Sequence, residues 1–317
     1  MKTIIAATLV VLAAGGAGVA QDFPNRPVTL IVPYGPGGST DLLGRQLANE
    51  LQEKWGQPVV VENRPGAGSM IGTASLAQAE PDGHTILINT AAFSTAPAVQ
   101  TDLPFDAKAD ISPIAMIATS PYVVVGGAQV ESETFAEFLA EAQARPMFFA
   151  TAGVGSSSHF AAELLIQQAG IPGDVVHFSG GGEANTNLMG GHADIYISTT
   201  ASVMPYVNNN QLKALGVLGE ERFVLLPDFE SSGENGVRGI DVDGWIGLFG
   251  PGGMSDELLD RINSDVNEVI WSEAFQGILQ ENFVIEGRTS APQFKAQVEA
   301  EMDLWVRLAD ERGITGD

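Results

Sequence analysis

Short runs of apolar, β-branched residues alternate along this chain with segments whose apolar residues recur at helical spacing. The run 28–32 predicts a buried strand. The segment after it predicts a helix, because its apolar residues recur every four positions and share one face: Leu43, Leu47, Leu51 and Trp55. Strands that alternate with helices predict parallel-rich sheets flanked by helices, so the pattern indicates an α/β fold.

The same alternation continues through the middle of the chain. Further strands are predicted at 59–61, 85–88, 122–125, 148–151, 175–178, 195–197 and 212–218, with helices between most of them, such as 135–144 and 160–169. After a strand at 245–249 the tail is mainly helical, with helices predicted at 256–269, 273–280 and 292–312. A helical tail cannot build a sheet of its own, so we expect it to pack back on the first lobe.

These patterns predict two lobes. The first is expected to comprise residues 21–120 and 245–317, and the second residues 121–244. Two short crossings, near 118–123 and 238–246, would join them. A hinge of this kind between α/β lobes favours closure around a ligand.

The first twenty residues have the three-part layout of a secretory signal peptide. Lys2 is their only charge, an apolar run from 4 to 14 follows, and Gly18 and Ala20 are the small residues expected before a cleavage site. A membrane anchor is the alternative, but the run is shorter than the ~20 residues that span a bilayer. The sequence therefore predicts export, with residues 1–20 removed.

Composition excludes several classes of protein. The 317 residues contain no cysteine, which excludes a disulfide scaffold and a thiolate metal site. The formal net charge of −24 argues against nucleic acid and anionic lipid as partners, because both are bound through clustered Lys and Arg. We interpret the acidity as a well-solvated surface.

One glycine-rich loop, residues 33–41, follows the first strand and opens a helix. Glycines let the backbone turn tightly, and a helix N-terminus carries partial positive charge, so an anion could be held without Lys or Arg. The loop matches neither a Walker motif nor a dinucleotide fingerprint. A plain strand-to-helix turn is the alternative.

Two further loops repeat this arrangement, at 64–69 in the first lobe and at 152–159 in the second. Each follows a predicted strand and precedes a helix. Ligands of open α/β sheets bind beyond the carboxyl ends of the strands. The three loops together predict one cleft lined by backbone donors.

Enzyme chemistry has little support. Residues 156–159 read Ser-Ser-Ser-His, but the nucleophile-elbow motif is absent and helix capping explains the serines. The histidines lack metal-site spacing: His84, His159, His177 and His192. Asp194 is expected to cap a turn or to receive a cationic group of a ligand. We predict no catalytic residue, no metal and no cofactor.

The chain resembles the extracytoplasmic solute receptors of tripartite tricarboxylate transporters, the Bug-type receptors, from about Phe23 to about Gly313. The family's pattern occurs in order, at 33–38 with Asp41, 61–68, 81–83, 104–106, 153–156 with His159, 190–191 with Asp194, and 226–228 with Glu234 and Gly236.

This resemblance implies a two-lobed periplasmic binding protein of the Venus flytrap type, type II-like. It implies a small organic carboxylate in the cleft and delivery to membrane permease subunits by a monomeric receptor. The ligand-binding residues are expected among Tyr34, Gly35, Pro36, Gly37, Gly38, Ser39, Thr40, Asp41, Gly66, Ala67, Gly68, Ser69, Gly153, Val154, Gly155, Ser156, Ser157, His159, Ser179 and Asp194.

The sequence departs from the family at two loops. Tyr34 replaces a usual phenylalanine, which adds a hydroxyl at the cleft mouth. Residues 178–180 read Phe-Ser-Gly where the family often has Tyr-Lys-Gly, so a positive contact is missing, although Asn185 and Asn187 offer neutral donors. The sequence is therefore compatible with a ligand that has one carboxylate or two.

Two other functions remain alternatives at this point. A sensor whose closed form docks on a signalling membrane protein fits the same sequence features. An exported enzyme on the same scaffold fits less well, since it needs a nucleophile or a metal.

Overall fold

The structure is a computed structural model that describes residues 23–37, 39–100, 102–240, 242–281 and 283–315. The predicted signal peptide and Gly38 lie outside the described residues. Within the described ranges, none of the helices combines the length and the apolar character needed to cross a membrane.

The chain alternates strands and helices as the sequence predicts. The strands are β1 (Val28–Val32), β2 (Val59–Asn63), β3 (Thr85–Thr90), β4 (Ile111–Ser120), β5 (Tyr122–Gly126), β6 (Met147–Thr151), β7 (Gly173–His177), β8 (Ile195–Thr199), β9 (Lys213–Val217), β10 (Gly244–Pro251) and β11 (Ile285–Glu286). The helices are α1 (Ser39–Trp55), α2 (Met70–Ala77), α3 (Ala92–Val99), α4 (Phe135–Ala144), α5 (Ser157–Ala169), α6 (Gly181–Met189), α7 (Thr200–Asn208), α8 (Asp256–Val269), α9 (Glu273–Glu281) and α10 (Ala291–Arg312).

Two sheets form two lobes, which confirms the predicted binding-protein fold. The sheet of lobe 1 has the order β11-β4-β10-β3-β1-β2, and the sheet of lobe 2 has the order β7-β6-β8-β5-β9. The chain passes directly from β4 to β5, and it returns from lobe 2 into β10.

Both sheets are mixed rather than wholly parallel. β1 pairs in parallel with β2 and β3, and β6 pairs in parallel with β7 and β8, whereas β10 and β5 run antiparallel to their neighbours. The parallel strands end at the edge that faces the other lobe. β5 and β10 begin at that edge, because each receives the chain from the other lobe, and so they must run in the opposite direction.

Helices cover both faces of each sheet. In lobe 1, α1 and α8 bury residues such as Leu47 and Ile262 on one face, and Phe93 and Phe294, from α3 and α10, are buried on the other. In lobe 2, aromatic residues of α4 and α5 bury one face, and α6 and α7 cover the other. Burial of a side chain of this size contributes roughly 1.5–3 kcal/mol.

The last helix, α10, contacts both lobes. Phe294 and Met302 belong to the core of lobe 1, whereas Trp305 and Leu308 belong to the core of lobe 2. The Trp305 ring lies 5.3 Å from the ring of Phe160 on α5. The expectation that the tail packs on the first lobe therefore describes only the first part of this helix, because its apolar stripe continues past the junction between the lobes.

Candidate ligand-binding cleft

A cavity of about 150 Å³ lies between the lobes. A cavity needs ~10–15 Å³ to hold one water molecule, so this cavity has room for a small organic molecule. Its lining comes from both sheets and from the crossings: Thr40, Leu43, Thr90, Ala91, Ala118, Thr119, Ser120, Tyr122, Ser157, Ser198, Thr199, Ala201, Gly244, Trp245, Ile246 and Val284.

Hydroxyl groups dominate the polar part of this lining. Among the residues that the structure describes, no Asp, Glu, Lys, Arg or His lines the cavity. The starts of four helices do reach it: α1 through Thr40, α3 through Ala91, α5 through Ser157 and α7 through Thr199. The first N–H groups of a helix lack helical partners and carry partial positive charge. The cavity therefore offers donors to an anion without offering a cation.

Asp41 holds the first loop of lobe 1. Its Oδ2 accepts the N–H of Gly37 at 2.9 Å and the Nε–H of Arg45 at 2.9 Å, and its Oδ1 accepts Nδ2–H of Asn63 at 2.8 Å. The bond from Arg45 is the main reason that the pKa of Asp41 falls from 3.8 to about 2. Both carboxylate oxygens are occupied, so Asp41 positions the loop backbone.

Tyr34 connects the first loop to the second. Its hydroxyl donates to Asn89 Oδ1 at 2.9 Å and lies 2.8 Å from Thr90 Oγ1. Asn89 in turn donates to Ser69 Oγ at 3.2 Å. Burial raises the pKa of the Tyr34 hydroxyl. The Tyr34 hydroxyl, which the sequence places at the cleft mouth, thus points inward and connects the loop 33–41 to the end of β3.

The second loop has a strained backbone. Ala67 and Ser69 have φ angles of 47° and 84°, a region that residues other than glycine rarely adopt. Such conformations cost about 1–3 kcal/mol each and cluster at ligand sites. Ser69 is buried, and its Oγ accepts the bond from Asn89, which fixes this conformation.

His159 holds the loop of lobe 2. Its Nδ1 accepts the N–H of Gly155 at 3.1 Å, and Ser156 Oγ caps α5 by accepting the N–H of His159 at 3.2 Å. Burial, and then the neighbouring His177, lower the pKa of His159 from 6.5 to about 4. The ring is therefore neutral at pH 7 and carries its proton on Nε2. Ser156 and Ser158 bond the backbone of this loop, as the sequence indicates, whereas Ser157 lines the cavity.

Most of the candidate residues fall into three groups. Thr40 and Ser157 line the cavity directly. Asp41, Ser69, Ser156 and His159 support the loops from behind. Exposed positions at the starts of these helices include Gly35, Pro36, Gly37 and Val154.

Asp194 and Ser179 lie apart from the cavity lining. Asp194 precedes β8, at the edge of the sheet opposite the cleft, where it accepts the N–H of Phe148 at 2.8 Å and pairs with Arg145 at 3.0 Å. Both of its carboxylate oxygens are thus engaged by the start of β6 and by Arg145, at the edge of the sheet away from the cleft. Ser179 follows the edge strand β7, and its hydroxyl donates to Glu183.

Several lining residues lie outside the sequence-based candidates. Thr90 ends β3, Ser198 and Thr199 end β8, and Tyr122 and Trp245 lie beside the two crossings. Thr90 and Thr199 each place a hydroxyl between a buried strand and a helix, and this pattern could have identified them as cavity-lining candidates. The connections after β3 and β8 contain no glycine, so the pattern that marks the other three loops is absent from them.

Comparisons with known proteins agree with this geometry. The model of a family described as "TctC: Tripartite tricarboxylate transporter family receptor" matches residues 43–314. The protein BugT of Bordetella pertussis (strain Tohama I) is 29% identical over 324 residues, which cover 99% of this chain and 98% of BugT.

Two solved structures carry carboxylates. The R. palustris protein Rpa4515 with adipate is 28% identical, has a TM-score of 0.81, and is matched over 92% of this chain and 99% of its own. MatC (Rpa3494) from Rhodopseudomonas palustris with bound malate is 27% identical, has a TM-score of 0.76, and is matched over 90% of this chain and 99% of its own.

Proposed function

Since the chain belongs to the tripartite tricarboxylate transporter receptor family, a family of periplasmic solute receptors, we propose that it captures a small organic carboxylate between its lobes. The loaded receptor would then deliver the acid to the membrane permease subunits of a tripartite tricarboxylate-type transporter. We propose further that the chain is exported, that residues 1–20 are removed, and that it acts as a monomer without catalysing a reaction.

The observation that carries this proposal is the lining of the interlobe cavity. Helix starts and hydroxyl groups reach it from both lobes, and the described lining residues carry no formal charge. Donors fixed in a dry site stabilise a carboxylate without the mobility of a lysine side chain. In a chain with a net charge of −24, this arrangement supplies local positive potential at the cavity without a basic side chain.

The loops supply the rest of the proposed site. Asp41 and His159 hold the backbone of two loops, so that the N–H groups at the starts of α1 and α5 stay in fixed directions. A ligand that accepts from both helix starts at once gains more from the closed than from the open arrangement of the lobes. Differential affinity of this kind is what drives closure.

A thermal-shift screen tests the proposal. The panel contains adipate, malate, citrate, acidic amino acids, aromatic acids and the matched amide of each acid. A ligand at about one hundred times its Kd adds roughly 2.7 kcal/mol to the free energy of unfolding, and we expect a rise of several degrees in Tm with one class of acid.

The amides are the control, because they keep the shape of the acid and lose its charge. A rise with an acid that its amide does not reproduce supports the proposal. Equal rises with acid and amide would contradict binding at helix starts, and steady product formation from any of these ligands would contradict the receptor role.

A further inference from the structure

A buried carboxylate lies behind one wall of the cleft cavity. Glu301 on α10 is 8% exposed and accepts the indole Nε1–H of Trp245, with distances of 2.8 and 3.0 Å to its two oxygens. Ser94 Oγ and Gln297 Nε2 lie 3.0 and 3.1 Å from the same carboxylate. These donors are all neutral, and burial raises the pKa of Glu301. Burying an acid among neutral donors costs free energy, which the hydrogen bonds from Trp245, Ser94 and Gln297 must offset.

Trp245 places this carboxylate next to the ligand site. It is the second residue of β10, is 2% exposed, and belongs to the lining of the cavity. Its ring packs edge-to-face on Phe294 at 5.3 Å. Its carbonyl accepts the N–H of Ala91, another lining residue, at 3.1 Å. The core of lobe 1 therefore fixes one side of the indole, and Glu301 fixes its polar edge.

The same network reaches lobe 2. Ser94 Oγ accepts the indole Nε1–H of Trp305 at 3.2 Å. The Trp305 ring packs on Phe160 of α5, and the first residue of α5, Ser157, lines the cavity from the second lobe. The carboxylate is thus connected to cavity-lining elements of both lobes.

We propose that Glu301 is a positioning residue for the ligand site, where it fixes the Trp245 indole as an apolar wall of the cavity. Trp245 would contact the carbon chain of the bound acid, together with Leu43 and Ile246. The ligand-contact part of this inference rests on the proposed function, whereas the positioning of the indole does not.

The chain contains a matched control. Trp55 also donates its indole Nε1–H to a buried carboxylate, Asp265, at 2.8 Å, but neither residue lines the cavity. Glu301→Gln and Asp265→Asn therefore make the same change at the acceptor of an indole N–H, although Asp265 also pairs with Arg261 and Lys54. Ser94→Ala removes the hydroxyl that bonds Glu301, Ala91 and Trp305, and it serves as the second variant if Glu301→Gln folds poorly.

The first measurement is an NMR spectrum of the full chain labelled with ¹⁵N-tryptophan. Its four tryptophans give four indole N–H resonances, which single Trp→Phe variants assign. In Glu301→Gln, or in Ser94→Ala, we expect the Trp245 resonance to move and its ring contacts with Phe249 and Phe294 to change, while Trp55 stays unchanged. An indole that keeps these contacts in both variants would overturn the positioning role.

The second measurement uses adipate as the probe, by titration calorimetry. We expect Glu301→Gln to weaken adipate binding about tenfold, the size of one lost charge-assisted hydrogen bond, and Asp265→Asn to leave it unchanged. Trp245→Phe should weaken binding too, and Glu301→Gln should add little in that background. Equal affinities in the unsubstituted chain and Glu301→Gln would overturn the ligand-site role.

The two measurements separate this inference from the proposed function. If no acid of the panel binds the unsubstituted chain, the proposed function fails and the indole spectrum still decides the positioning role. If adipate binds the unsubstituted chain and Glu301→Gln equally well, the function stands, the ligand-site part of the inference fails, and the indole spectrum decides the positioning part.

Discussion

Gly37 in lobe 1 and Gly155 in lobe 2 occupy matching positions in their loops. Each lies two residues before its helix, each has a positive φ, 89° and 74°, and each donates its N–H to a side chain four residues later. The acceptor is the ionised carboxylate of Asp41 in lobe 1 and the neutral imidazole of His159 in lobe 2. Two different chemistries thus produce the same loop geometry.

This comparison separates support from binding. Asp41 and His159 each accept an N–H of their own loop backbone, so in the proposed function they support the loops and do not hold the acid. The helix starts and the hydroxyls of Thr40 and Ser157 are left for that task. The difference also predicts that the two loops respond differently to substitution and to pH.

The largest expected difference concerns the glycines themselves. A Cβ at residue 155 would lie 2.3 Å from Cγ2 of Val99, whereas a Cβ at residue 37 would meet nothing within 4 Å. Gly37→Ala should cost about 1–2 kcal/mol from backbone strain, and Gly155→Ala about 3 kcal/mol because a clash is added.

Urea unfolding measures both variants. Val99→Ala in the Gly155→Ala background should recover part of the loss by removing the clash. Equal costs for the two glycine variants would mean that Val99 does not press on the lobe 2 loop.

The second prediction compares the two acceptors at pH 7. Asp41→Asn should lower the free energy of unfolding by about 2 kcal/mol, because hydrogen bonds to a charged group are lost, and His159→Gln by about 1 kcal/mol, because only a neutral bond is lost. Glu53→Gln, an exposed change on α1, is the control and should have little effect. A larger loss for His159→Gln than for Asp41→Asn would reverse the comparison.

The third prediction is a pH dependence with two windows. The pKa of His159 is lowered by folding, so between pH 6.5 and about 4 the unfolded chain binds more protons, and stability falls as the pH decreases through that range. The pKa of Asp41 is lowered as well, so its contribution is lost as the pH falls from 3.8 to about 2.

Unfolding curves at a series of pH values check both windows. His159→Gln should flatten the upper window and Asp41→Asn the lower one. A His159→Gln profile that still falls between pH 6.5 and about 4 to the same extent would assign that window to other groups.

The smallest expected effects concern ligand affinity. Thr40→Val and Ser157→Ala each remove one hydroxyl from the cavity, on opposite lobes. Each should weaken binding of the acid identified in the thermal-shift screen about three- to tenfold, as one neutral hydrogen bond does. Calorimetric titration measures both. A loss confined to Thr40→Val would place the acid on lobe 1 alone.

Much of the fold is predictable from local patterns. The apolar spacing predicts α1 and the three tail helices to within a few residues, because one buried face is enough to define a helix. The ten-residue strand β4, Ile111–Ser120, was not predicted, since it contains Pro113 and little alternation. Pro113 is tolerated because it lies opposite Phe249, where the pairing with β10 shifts register.

The site was only partly predictable. The three glycine-rich loops point to the cleft edge, and Thr40 and Ser157 lie there. Trp245 and Thr199 reach the same cavity from the crossings and from β8, and no local pattern marks them as neighbours. The loop-supporting roles of Asp41 and His159 could not be predicted either, because the identity of a residue does not show which hydrogen bonds its side chain makes.

The sequence by itself determined most of the strands and helices, the α/β class and the glycine-rich loops that precede helices, since these depend on residues close together in the chain. Only the tertiary structure decided which polar side chains are already hydrogen-bonded to other parts of the protein. Asn63 reaches Asp41 across 22 residues, and Glu301 reaches Trp245 across 56. Hydrogen bonds and buried charges are satisfied by whichever partner the fold brings near, and that choice separates a residue that supports the cleft from one that faces the ligand.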